Sequence, residues 1–240
     1  MRIFYRAAIG LLLAASPLSA EVRVEDIIER ARATLGVSSA LDAVVTLRIV
    51  GSLQPVDPGI PPASLLIIAR KPHSQRMEIQ VDDIVETTIL NGDQGCMIRS
   101  NLSADASRMR DLADPELERV LYSTRQFFNF YRPDYKNGET VRFEGIETRQ
   151  KTRSYSLRYS YPGGLETTRY FSVEDASLVS TVTENGVESV GIGSQLVAGI
   201  QFPKQIDYFE RGRKLHTIVL EEIQVNKPLT AGIFDIPEGD

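Results

Sequence analysis

Apolar residues recur every three or four positions from Val24 through Ile27, Ile28, Ala31 and Leu35, with charges between them, and Gly36 follows. That spacing predicts an amphipathic helix over 24–35 which the glycine ends. The period then drops to two. Over 43–50, Val45, Leu47 and Ile49 fall on one side and Thr46 and Arg48 on the other, a strand with one buried face. Pro55, Pro58, Gly59, Pro61 and Pro62 make a loop, and 65–69 returns as an apolar strand. Met77, Ile79 and Val81 alternate with Arg76, Glu78 and Gln80. Asp82-Asp83 then turns the chain into a strand at 84–90, and Asn91-Gly92-Asp93 is a hairpin signal because Asn and Gly tolerate positive φ.

Helical spacing resumes at Asp114-Pro115-Glu116, which reads as N-cap, first-turn proline and an acid at the positive end of the helix dipole. Leu117, Val120, Leu121, Thr124, Phe127, Phe128 and Tyr131 carry it to Pro133. Strands follow over 140–149, 153–161, 165–173, 177–184, 187–194, 202–210 and 214–225, with Pro162-Gly163-Gly164 and Asn185-Gly186 as turns. The sum is two helices and about eleven or twelve strands. The fold class predicted is mainly β (α+β): a single large antiparallel curved sheet, shaped as a half-open β-barrel covered by the two helices. So many strands curl to protect their edges, and amphipathic helices need an apolar face to cover.

The first twenty residues read differently. Arg2 and Arg6 precede an apolar run over 7–15, and Pro17-Leu18-Ser19-Ala20 ends in small residues, the three parts of a secretory signal. The run is about half of the ~20 residues that cross a bilayer. Cleavage after Ala20 is expected, leaving 21–240 as a single β domain in the periplasm. The leader takes two arginines and no acid with it, so 25 basic residues face 32 acidic ones and the net charge is −7. That balance disfavours nucleic acid. Cys96 is the one cysteine, so a core rather than a disulfide must hold the fold.

Little in the chain resembles catalytic equipment. It has no G-x-S-x-G elbow, phosphate loop or HExxH. His73 and His216 share no ligand pattern and read as solvent-facing; Cys96 reads as a small buried hydrophobe. No enzyme activity, cofactor or metal is expected. The apolar faces Leu47/Ile49, Met77/Ile79/Val81 and Leu157/Tyr159/Tyr161 either line a lipid cavity or fill a solid core. Phe127, Phe128, Phe130 and Tyr131 cannot all share one helical stripe at 3.6 residues per turn, so some point elsewhere.

Three segments resemble the LolA/LolB-like periplasmic family of outer-membrane lipoprotein-sorting proteins. They are Ala69-Arg70-Lys71-Pro72 with Arg76-Met77-Glu78, then Leu90-Asn91-Gly92-Asp93-Gln94-Gly95-Cys96, then Asn226-Lys227-Pro228-Leu229 leading to Phe234-Asp235-Ile236-Pro237. Their order is similar to the family's over 22–237. The resemblance implies a hydrophobic cavity for acyl chains, lined here by Leu47, Ile49, Met77, Ile79, Val81, Leu121, Phe127, Phe128, Leu157 and Tyr159. It also implies a basic latch on the lid at Arg70 and Lys71. The family has arginine before the strand proline; Lys71 lacks its planar fork of donors. The implied function is a monomeric periplasmic carrier that binds acyl chains of lipoproteins or lipids for outer-membrane sorting, with transient membrane contact. The alternative is a sensor or adaptor that uses the same fold to bind an envelope protein.

Overall fold

The computed structural model describes residues 23–238; the expected leader, 1–20, lies outside them. Helix α1 (Val24–Leu35) forms where the spacing predicts and buries Ile27, Ile28 and Ala31. A short α2 (Ser38–Asp42), too brief to show a period in the sequence, follows and buries Leu41. Six strands form a meander: β1 (Thr46–Pro55), β2 (Ala63–Arg70), β3 (Ser74–Val81), β4 (Ile84–Asn91), β5 (Gln94–Asn101) and β6 (Ala106–Asp111). Helix α3 (Asp114–Asn129) interrupts them. Then come β7 (Thr140–Arg149), β8 (Thr152–Ser160), β9 (Glu166–Ser172), β10 (Leu178–Thr183) and β11 (Val187–Ile192). The chain ends with β12 (Gln195–Val197), β13 (Ile200–Phe202), β14 (Gln205–Glu210) and the long β15 (Arg213–Val225).

Thirteen of these strands make one antiparallel sheet in the order β6-β5-β4-β3-β2-β1-β15-β14-β11-β10-β9-β8-β7, and β12–β13 form a separate hairpin. The sheet stays open, with β6 and β7 as its edges. Strand β15 closes the long-range gap by pairing β1 with β14, and it carries one extra residue, Glu221, opposite the Val50-Gly51 step of β1. There the Val219 carbonyl lies so close to Gly51 that a Cβ would overlap it. Gly36 is likewise excluded from carrying a side chain, since a Cβ would sit 2.6 Å from the Gly199 carbonyl oxygen. That contact fastens the end of α1 to the β12–β13 hairpin.

The structure corrects the sequence reading in four places. Strands β5 and β6 have no strand range in the sequence pattern; in β6, Ser107-Arg108-Met109-Arg110 has charges where a buried strand would show apolar residues, and it is an edge strand, largely exposed. The expected strand over 187–194 stops at Ile192, and Gly193 with φ 65° turns the chain into the extra hairpin. Helix α3 is capped by Ala113 rather than Asp114, with the Glu116 carboxylate accepting the Ala113 N–H at 3.1 Å. It also ends earlier, at Asn129, because Phe130 and Tyr131 take left-handed conformations with φ 45° and 72°.

Candidate functional site

Facing residues in a sheet share a side, so the register places the predicted apolar positions. One row across the sheet is Val225–Leu47–Ala69–Gln75–Leu90. The next is Ile223–Ile49–Ile67–Met77, and the third is Leu220–Gly51–Leu65–Ile79. A fourth runs Ile206–Ile218–Leu53–Ala63, with Val81 two residues beyond Ile79 on the same side. Far along the sheet, Leu157 pairs with Arg169 and Tyr159 with Thr167, again on this face. All the strand positions predicted for the cavity therefore lie on one concave surface. The helices lie over that same surface.

Under the helices most of the concave face is filled by packed side chains. Leu157, Tyr159 and Tyr161 pack with Ile27, Ile28, Ala31 and Phe171 in one cluster; Leu47 and Ala69 pack with Leu41, Val44, Phe128, Phe130 and Ile200 in another. Phe127 packs half-buried against the second cluster. Leu121 borders a cavity of about 210 Å³ with Tyr122, Arg125, Glu139 and Tyr161. Beyond the first row buried residues, Ile49, Ile223, Leu65 and Ala63, alternate with more open ones. Ile67, Met77, Ile79, Val81, Leu53, Ile218, Leu220 and Ile206 are only half-buried and are packed in neither cluster. The ten predicted residues thus divide between filled core and a partly open apolar ramp.

Helix α3 is fixed over the sheet by polar contacts that periodicity alone does not reveal. Thr124 Oγ1 donates to Gln75 Oε1 at 2.9 Å. Gln126 accepts from Arg169, whose guanidinium lies 4.4 Å from the ring centre of Tyr159 and 5.5 Å from that of Tyr131. Tyr159 donates its hydroxyl to the Tyr131 carbonyl at 2.9 Å, and burial pushes its ionisation up to about 12.

The buried basic residue that bonds the end of α3 is Arg32. Arg32, 1% exposed, donates Nη1 to the carbonyls of Asn129 and Phe130 at 2.9 and 3.1 Å and Nη2 to Asp42 at 2.7 Å. It thereby satisfies the end of α3 where the backbone turns left-handed. Lys71 stands nearby, its Nζ 5.6 Å from the Phe128 ring centre, and burial lowers its ionisation. Arg70 is exposed on the opposite side of β2 and covers the Phe234 ring at 4.9 Å, so it holds the C-terminal segment instead. Arg32 had a signal in the sequence: it lies four residues after Ile28, inside the apolar stripe of α1. Arg169 stands likewise between Thr167 and Phe171 on the buried side of β9.

Both histidines are half-buried rather than free in solvent. His73 Nε2 accepts from Arg125 Nε at 3.2 Å beneath α3, and His216 stacks on Tyr208 with ring centres 4.6 Å apart. The sequence reads both as solvent-facing because they share no ligand pattern, and the cross-strand and helix contacts that cover them are not local. Cys96 is fully buried, and burial raises its thiol, which suits an inert filler.

Glu139 is 1% exposed; its Oε2 accepts the Asp134 N–H at 2.9 Å while its Oε1 has no partner among the described residues. Burial raises its carboxyl above the ordinary 4.5. The folded state therefore binds this proton more tightly than the unfolded chain, and its contribution to stability falls as pH rises from 4.5 through the raised value. Glu139→Gln is expected to be at least as stable as wild type at neutral pH and to flatten the decline. Urea midpoints at pH 5 and pH 8 check this; a variant with an unchanged slope would contradict it.

No protein-family model matches the chain, and no curated protein matches it in sequence. Its fold is shared with solved structures at low identity. A DUF1329 family protein from Desulfovibrio piger superposes with a TM-score of 0.58 at 10% identity, covering 88% of this chain and 97% of that one. A LolA superfamily protein from Nitrosomonas europaea gives 0.57 at 10%, covering 89% and 97%. A Vibrio parahaemolyticus domain, provisionally described as outer membrane lipoprotein-sorting, gives 0.57 at 8% with the same coverage. The chain has the LolA-like fold.

Proposed function

We propose that the protein is exported, loses its leader after Ala20, and works in the periplasm as one domain over 21–240 that carries acyl chains of lipoproteins or other lipids toward the outer membrane. The observation that carries this reading is the half-buried ramp on the concave face, where Ile67 and Met77, Ile79, then Leu53, Ile218 and Ile206 stand in successive rows. Contiguous apolar surface of this kind marks a ligand or partner site. Its position, leading away from the helical cover, suits an extended flexible chain. The shared fold with a LolA superfamily protein supports the same reading.

Burial does the work here rather than bond chemistry. Each methylene taken out of water contributes about 0.8 kcal/mol, so ten of them supply about 8 kcal/mol, on the order of a micromolar dissociation constant before ordering costs. Release follows when α3 and the Arg32 latch shift or when the cargo meets a better acceptor.

Native mass spectrometry of the protein purified gently from the envelope is expected to show acyl-bearing adducts. Ile79→Asp, which sets a charge in the third row, should remove most of that uptake at little cost to folding, because the position is half-exposed. A wild-type protein free of lipid that takes up no fatty-acyl probe would end the carrier reading. Recovery of one stoichiometric envelope protein without lipid would favour an adaptor.

A further inference from the structure

The fourth row ends at a cleft of about 500 Å³ between the proline loop after β1 and the turn that joins β14 to β15. The volume falls within the ~300–1,000 Å³ of small-molecule sites. Leu53, Pro55 and His216 reach it from the concave face, since Pro55 pairs with His216 one row beyond Leu53 and Ile218. The cleft is therefore continuous with the ramp, and lies at the end away from the helices.

Its rim has two chemically different sides. On one, Val56 and Ile60 are 55% and 54% exposed. They are not on a loose loop: Val56 N–H bonds the Leu215 carbonyl at 3.0 Å, Ile60 N–H the Asp57 carbonyl at 3.1 Å, and the Asp57 carboxylate accepts Gly59 N–H at 2.9 Å. Large aliphatic side chains held out in water beside a cleft are a surface for something apolar to cover. On the other side the turn reads Glu210-Arg211-Gly212-Arg213-Lys214, locally cationic in a chain whose net charge is −5. Lys214 is engaged by Asp207 at 2.9 Å and Asp57 by its own loop. That leaves the exposed Arg213 without an acidic partner among the described residues, beside an apolar wall.

We infer that this cleft takes the acidic head of an anionic amphiphile, a fatty acid or a lipid of comparable headgroup charge, with Arg213 receiving the anion and Leu53, Val56 and Ile60 the first methylenes of the tail. The tail then continues over Ile218 toward Ile79. A guanidinium suits a carboxylate or phosphate because its donors form a planar fork. This assignment rests on the acyl-binding reading and narrows it to acidic ligands entering from the end opposite α3.

The test titrates the protein with a dansyl-labelled fatty acid and with its methyl ester, following dansyl fluorescence; the chain has no tryptophan to interfere. The acid is expected to bind roughly tenfold tighter than the ester, the yield of one charge-assisted contact. Arg213→Ala should erase that preference while leaving ester binding and the circular dichroism melt unchanged, and Arg213→Glu should favour a dansyl-labelled alkylamine instead. Ile79→Asp should weaken acid and ester alike. Equal binding of acid and ester, or a preference that survives Arg213→Ala, overturns this assignment and leaves the acyl-binding reading in place. Failure of both probes to bind overturns the two together.

Discussion

Arg32→Ala is expected to lower the stability of the folded protein by about 2 to 4 kcal/mol, the cost of leaving two carbonyls at the end of α3 without a donor. The deletion leaves the carbonyls of Asn129 and Phe130 without donors in the place where Arg32 Nη1 now serves both. Those carbonyls belong to the turn in which Phe130 and Tyr131 hold φ of 45° and 72°, conformations that bulky residues adopt only when their surroundings impose them. The Asp42 end of the contact matters less, because that side chain is 55% exposed. Arg32→Lys should recover only part of the loss, since one ammonium cannot reach two carbonyls and a carboxylate in the geometry of the guanidinium fork. Urea unfolding measures both variants. Hydrogen exchange should show the loosening concentrated at the end of α3, residues 124–131. A loss below about 1 kcal/mol would mean that Arg32 is incidental to holding the helix.

Leu157→Ala is the second large effect. Leu157 is fully buried and sits under α1 with Ile27, Ile28 and Phe171, so truncation should cost about 2 to 5 kcal/mol, as removing a leucine from a filled core does. Ile79→Ala, on the half-exposed ramp, should cost about 1 kcal/mol or less, because little packing is lost. The two residues came from the same sequence argument, and only their surroundings separate them. Equal costs at both positions would contradict the division of the concave face into a packed part and an open part.

That division explains how far the sequence reaches. Alternation at Met77, Ile79 and Val81 identifies a strand with one buried side, and the period of 24–35 identifies α1, because both signals are local. Whether a buried side meets a helix or an open groove depends on which strands become neighbours. Strand β15 lies beside β1 although the residues it pairs are far apart in sequence, and no periodicity carries that information. The contact that Arg32 makes under α3 is hidden from the sequence for the same reason. Arg70 and Lys71 adjoin a proline that draws attention, but alternation sends Arg70 to the opposite side of β2, where it meets Phe234. Arg32 looked like one more charge on a helix, yet its position in the apolar stripe places its guanidinium under α3. The hairpin β12–β13, whose Gly199 carbonyl lies against Gly36, and the left-handed turn at Phe130, whose carbonyl accepts from Arg32, likewise depend on contacts between remote residues, which sequence spacing cannot encode.

The most direct measurement of acyl binding on the ramp is photo-crosslinking with a diazirine-bearing fatty acid, followed by peptide mapping of the adducts. Adducts are predicted on the concave side of β1, β2 and β3, centred on Ile67, Met77 and Ile79, and they should be competed away by unlabelled fatty acid. Labelling confined to outward-facing residues such as Arg48, Arg76 or Glu78, or labelling that competitor does not reduce, would contradict the account.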